Sequence, residues 1–64
     1  MFRIYYINHD YYAHNEPQTL MEARHVAQKS GFQCRIDDAQ GNPVCSYCPI
    51  SGWRYYLNVA MHLA

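Results

Sequence analysis

The chain has 64 residues, and its five Lys and Arg balance five Asp and Glu for a formal net charge of zero. That length allows one domain at most, near the lower limit for folding alone. The balanced charge supports neither phosphate binding through a strongly basic field nor mimicry of nucleic acid by an acidic surface. Seven Tyr, two Phe and one Trp supply apolar bulk that small domains otherwise replace with metal, disulfides or oligomerisation.

In chain order, residues 2–7 are β-rich, Asn8-His9-Asp10 signals a turn, and Tyr11-Tyr12-Ala13-His14 is a second short β run. Together they predict a hairpin whose loop has two or three residues. Residues 15–31 carry the clearest helical pattern. Thr19 and Glu22 form a capping box. Leu20, Ala23, Val26, Ala27 and Ser30 make an apolar stripe opposite Glu22, His25 and Lys29, with Met21 off the stripe. Gly31 sits where a left-handed C′ residue belongs, and Phe32 is expected to pack back on the last turn.

Residues 33–48 predict a second hairpin. Its strands are Gln33–Asp37 and Val44–Cys48, its turn is Ala39-Gln40-Gly41-Asn42, and Pro43 suits the start of a strand. In Trp53–Ala64 both a helical and a β spacing fit the apolar residues. Ser51 as N-cap, a single β-branched residue and the helix-forming end Ala60–Ala64 favour a helix. At an offset of 32 residues, Arg3-Ile4 repeats as Arg35-Ile36, Pro17 as Pro49, and Thr19 is echoed by Ser51. These matches do not exceed chance. The expected architecture is α+β: an antiparallel sheet of about four strands in ββαββ order, one packed helix, and a C-terminal helix or extra strand.

Tyrosine pairs dominate the chemistry: Tyr5-Tyr6, Tyr11-Tyr12 and Tyr55-Tyr56. Neighbouring side chains of a strand point to opposite faces, so each pair sends one ring towards the core and one towards solvent. Tyrosine combines a large apolar body with a polar tip, and with arginine it is enriched where proteins bind one another. The candidate partner-binding residues are Tyr5, Tyr6, Tyr11, Tyr12, Arg35, Arg54 and Tyr55.

The competing chemistries are weaker. Cys45-x-x-Cys48 has zinc-ligand spacing, with Cys34 nearby and His14, His25 or His62 as a further ligand. In a hairpin turning at Gln40-Gly41, however, Cys34 and Cys45 share one face and Cys48 lies on the other. A pair split in this way suits small buried residues better than a zinc knuckle. A redox role would need the first cysteine at a helix N-terminus. Asp37-Asp38 reads as a solvated turn, its neighbouring carboxylates diverging. Sheet tyrosines with Arg3, Arg35 and Arg54 could stack bases and contact phosphates, but no RNP-like motif is present. No cofactor and no catalytic function are expected.

Thr19–Ala27 followed by Ile36–Asn42 is similar to the tiny hairpin–helix–hairpin proteins of phages and mobile elements, among them anti-CRISPR proteins. The resemblance covers residues 2–48 and is one of pattern. It implies a non-enzymatic cytoplasmic protein that inhibits a host defence complex by stoichiometric occlusion of its surface, with a host protein complex as partner. The alternative is a small nucleic-acid-binding or structural zinc-binding module. No signal peptide or membrane span is expected, and the chain reads as a complete small gene product. A homodimer stays open, because a small sheet with an uncovered aromatic face can pair with itself.

Overall fold

Five antiparallel strands and one helix appear in a computed structural model that describes residues 1–56. Along the chain these are β1 (Arg3–Tyr6), β2 (Tyr11–Tyr12), α1 (Leu20–Ser30), β3 (Cys34–Asp37), β4 (Pro43–Cys48) and β5 (Gly52–Tyr55). They form a single sheet in the order β2-β1-β3-β4-β5. The α+β class and the two hairpins flanking a helix are as the sequence predicts, with five strands in place of about four.

The first hairpin pairs Tyr6 with Tyr11, so its loop is the four residues 7–10, longer than expected. Asp10 adopts φ 56° there, a left-handed conformation that Asp tolerates better than most side chains. Its N–H closes the turn on Tyr6 C=O at 2.8 Å.

The helix begins at Leu20, directly behind the expected cap. Extended Thr19 caps it, its side chain accepting from Glu22 N–H at 3.1 Å. Gly31 ends it at φ 74°, where a Cβ would be strained. Phe32 does not behave as expected. Its ring leans on His9 and Tyr6 of the first hairpin, with centroids 4.8 and 6.0 Å apart, and is 47% exposed.

The turn of the second hairpin is organised by Asp38, whose carboxylate accepts from Gln40 N–H and Asn42 N–H at 2.9 Å each. This is the Asx geometry that makes Asp a turn residue. Across this hairpin Ile36 faces Cys45 while Asp37 faces Pro43, so Val44 is the extra residue of a β-bulge.

The largest departure lies after Cys48. Residues 52–55 form an edge strand, with Tyr47 opposite Trp53 and Ser46 opposite Arg54, where the sequence favours a helix starting behind Ser51. Gly52 at φ 88° closes a three-residue loop, and a left-handed residue at that point is incompatible with a first helical turn. Trp53 and Tyr55 are β-formers, and the free edge of β4 offers the partner that periodicity alone cannot reveal. Ser51 therefore sits in a hairpin loop while Thr19 caps a helix, so the offset-32 echo has no structural counterpart here. The remainder of the favoured helix, residues 57–64, lies outside the described residues.

Helix α1 packs on β1 and β3. Its small residues Ala23 and Ala27 lie against Ile4, Ile36, Cys34 and Cys45, all fully buried, and Val44 joins them. Full burial of an isoleucine side chain contributes about 1.5–3 kcal/mol. Two alanines on the contact stripe let a short helix approach the sheet closely. Among the described residues the opposite sheet face carries no helix.

Candidate open-face binding site

Cross-strand partners share a face, so the register assigns each side chain. The helix-free face carries one row across the whole sheet: Tyr12, Tyr5, Arg35, Ser46 and Arg54, from β2 to β5. Arg3 and Asp37 face each other one step along. With strands about 4.8 Å apart, the row spans roughly 19 Å.

The row is tied together. The rings of Tyr5 and Tyr12 pack at 5.0 Å. Arg3 lies over the Tyr12 ring at 4.1 Å and Arg35 over the Tyr5 ring at 4.8 Å. Arg35 donates from Nε to Asp37 Oδ1 at 2.8 Å and from Nη2 to Oδ2 at 3.0 Å. Tyr12 Oη donates to the same Oδ2 at 3.0 Å and accepts from Arg35 Nη2 at 3.3 Å. Asp37 is 1% exposed, whereas the Arg35 side chain retains 35% exposure. The Asp37 hydrogen bonds raise the Arg35 pKa further above its ordinary value. At the hairpin end, the Tyr5 hydroxyl donates to Asp10, which together with partial burial holds its pKa above the usual phenol value.

Of the seven candidate residues, Tyr5, Tyr12, Arg35 and Arg54 come together on this face. The other three do not. Tyr6 and Tyr11 share the helix side, ring to ring at 5.4 Å, beside His9 and Phe32. Tyr55 lies on the helix side at the far edge, where Arg24 of α1 sits over Trp53 and Tyr55 at 5.0 and 5.6 Å. The pairs do separate onto two faces, but face does not decide exposure. Tyr11, on the helix side, is 48% exposed on the edge strand, beside β1 and β3 on which α1 packs, while Tyr12 on the open face is half-buried.

The sequence reading missed Asp37 and left Arg3 out of the candidate set. The expected solvated turn describes Asp38 alone; Asp37 is a buried partner of Arg35. The signal was the alternation Arg3-x-Tyr5 facing Arg35-x-Asp37, which places all four side chains on one face once β1 and β3 are known to pair. The covered half of Trp53 also went unread, because Arg24 reaches it from the helix.

The cysteines divide between the faces. Cys34 and Cys45 are buried under α1, and Cys48 lies across the sheet from them. Burial pushes the Cys45 thiol up to about 11 and raises Cys34. Backbone N–H groups of Ser51 and Ile50 lower Cys48. The Cys-x-x-Cys pair therefore straddles the sheet. Among the described residues no three of His, Cys, Asp and Glu are grouped to hold a metal ion, and no helix is long and apolar enough to cross a membrane. The hollows along α1, lined by Met21, Arg24, His25 and Gln28, are shallow and open. Comparison with protein-family models, curated proteins and solved structures finds no match to this chain.

Proposed function

We propose that the protein is a non-enzymatic binding module that engages a protein partner through the open face of its sheet. The observation that carries this reading is the row Tyr12–Tyr5–Arg35–Ser46–Arg54, with Arg3 beside it, on the broad sheet face that no helix covers among the described residues. The molecule measures about 30 × 25 Å across its two longer axes. A face of that size is comparable to the ~800 Å² that one partner contributes to a standard interface. Tyrosine and arginine are the residues that interface centres favour. The similarity to small phage and mobile-element proteins makes stoichiometric inhibition of a host defence complex the concrete form of this function.

The test is capture of the partner on the tagged chain, with mass spectrometry and stoichiometry, repeated with Arg54→Glu on the open face and Lys29→Glu on the outer side of α1. One stoichiometric protein retained by wild type and by Lys29→Glu, but lost with Arg54→Glu, supports the reading. A partner indifferent to Arg54→Glu and lost with Lys29→Glu moves the site to the helix and overturns it.

A further inference from the structure

We infer that the partner presents carboxylate side chains to the open face, and that Arg35, held in place by Asp37 and Tyr12, is the anchor that receives them. This rests on the open-face reading above and adds the chemistry of the partner surface.

The argument starts from a buried charge. Asp37 is almost entirely removed from water, and a buried ion pair is weak evidence for stability, because apolar residues of similar volume often serve as well. Here the pair does something that apolar residues would not. Both Asp37 oxygens and the Tyr12 hydroxyl fix the Nε and Nη2 edge of Arg35, and the Tyr5 ring supports its plane. The Arg35 side chain remains one-third exposed, and among the described residues Nη1 has no hydrogen-bond partner. A guanidinium oriented in advance loses little freedom when it meets an anion, and its two Nη1 N–H groups are left to receive a carboxylate oxygen.

Charge complementarity names the occupant. Arg35–Asp37 is the only ion pair among the described residues, so Arg3 and Arg54 flank it without a carboxylate of their own. Among the described residues, even with Asp10 counted at the rim, arginines outnumber carboxylates on this face by three to two, in a chain whose net charge is zero. A surface of this kind is locally positive without a long-range field. Single-stranded nucleic acid fits less well. Base stacking needs bare aromatic faces, and the rings of Tyr12 and Tyr5 are each covered on one side by an arginine. The favoured occupant is an acidic protein surface.

The test titrates the intact chain, followed by amide NMR, with three probes: an octaglutamate peptide blocked at both ends, its neutral glutamine counterpart, and an oligothymidylate of the same length. The expected result is saturable shifts at Arg3, Arg35 and Arg54 with octaglutamate alone. Arg35→Lys keeps a cation beside Asp37 but loses the outward Nη1 group, and is expected to weaken binding about tenfold, with its own spectrum reporting that the fold is intact. Undiminished binding by Arg35→Lys overturns the anchor. Tighter binding of oligothymidylate overturns the carboxylate in favour of phosphate. Shifts with neither charged probe overturn the inference outright. A captured protein that is lost with Arg54→Glu yet holds equally to Arg35→Lys sinks this inference while leaving the open-face function standing.

Discussion

The two faces of the sheet are built on different principles. Under α1, Ile4, Ile36, Cys34 and Cys45 meet Ala23 and Ala27 in a dry contact where shape and apolar area do the work. On the other face, Tyr5, Tyr12, Arg3, Arg35 and Asp37 are bound by cation–π contacts and charged hydrogen bonds that fix directions more than they add stability. A small domain that confines its core to one side of a sheet leaves the other side free to carry function. The price is that, among the described residues, one helix and a few aliphatic side chains hold the fold.

That contrast can be broken most forcefully from the covered side. Ile36→Ala removes a fully buried side chain from the middle strand, and is expected to cost about 3 kcal/mol by urea unfolding. A loss below about 1 kcal/mol would mean that the helix-side contact is not the main core.

A second test asks whether the buried pair on the open face is as asymmetric as its exposures imply. Arg35→Met leaves Asp37 buried without its cation, and should cost about 3 kcal/mol. Asp37→Leu leaves an arginine that water can reach, and should cost only about 1–2 kcal/mol. Equal losses would show that Asp37 is better hydrated than its burial indicates.

The thiols sharpen the comparison through pH. Burial raises the folded-state pKa of Cys45 from its ordinary value of 9.0 to about 11. A group raised in the folded state contributes its stability fully below its unfolded pKa and loses it as pH rises through the folded one. Stability should therefore fall between about pH 9 and 11 by on the order of 2 kcal/mol, and Cys45→Ala should flatten that slope. In the native protein at mildly alkaline pH, iodoacetamide should reach Cys48 well before Cys34 or Cys45, as read by mass spectrometry, because only Cys48 is lowered. Labelling of all three at similar rates would mean that the covered face opens readily.

The smallest expected effect is the most telling for function. Arg54→Ala, on an exposed edge-strand position, should change stability by no more than about 0.5 kcal/mol while weakening capture of the partner. A larger loss would show that the open face also holds the fold.

Much of this fold was legible in the residues. Thr19, Glu22 and Gly31 mark the helix because capping is local chemistry, satisfied within a few bonds of the residue concerned. Gly41 and Asp38 mark the second turn for the same reason. The site was legible only in part. Tyr5, Tyr12, Arg35 and Arg54 could be named as residue types, but not as one row, since Arg54 joins it only if residues 52–55 are a strand. Asp37 could not be told from Asp38, because two adjacent carboxylates look alike until the sheet buries one of them.

By itself, then, the sequence determined the helix, its caps, the two early hairpins and the separation of each early tyrosine pair onto opposite faces, all set by interactions between near neighbours and by the two-residue repeat of a strand. Only the tertiary structure decided that Gly52–Tyr55 pairs with β4, that α1 covers β1 and β3 while leaving Tyr11 exposed, and that Asp37 is buried beneath Arg35. Each of these depends on contacts between residues far apart in the chain, whose free energy outweighs local preference and leaves no periodic trace in the segment it reshapes.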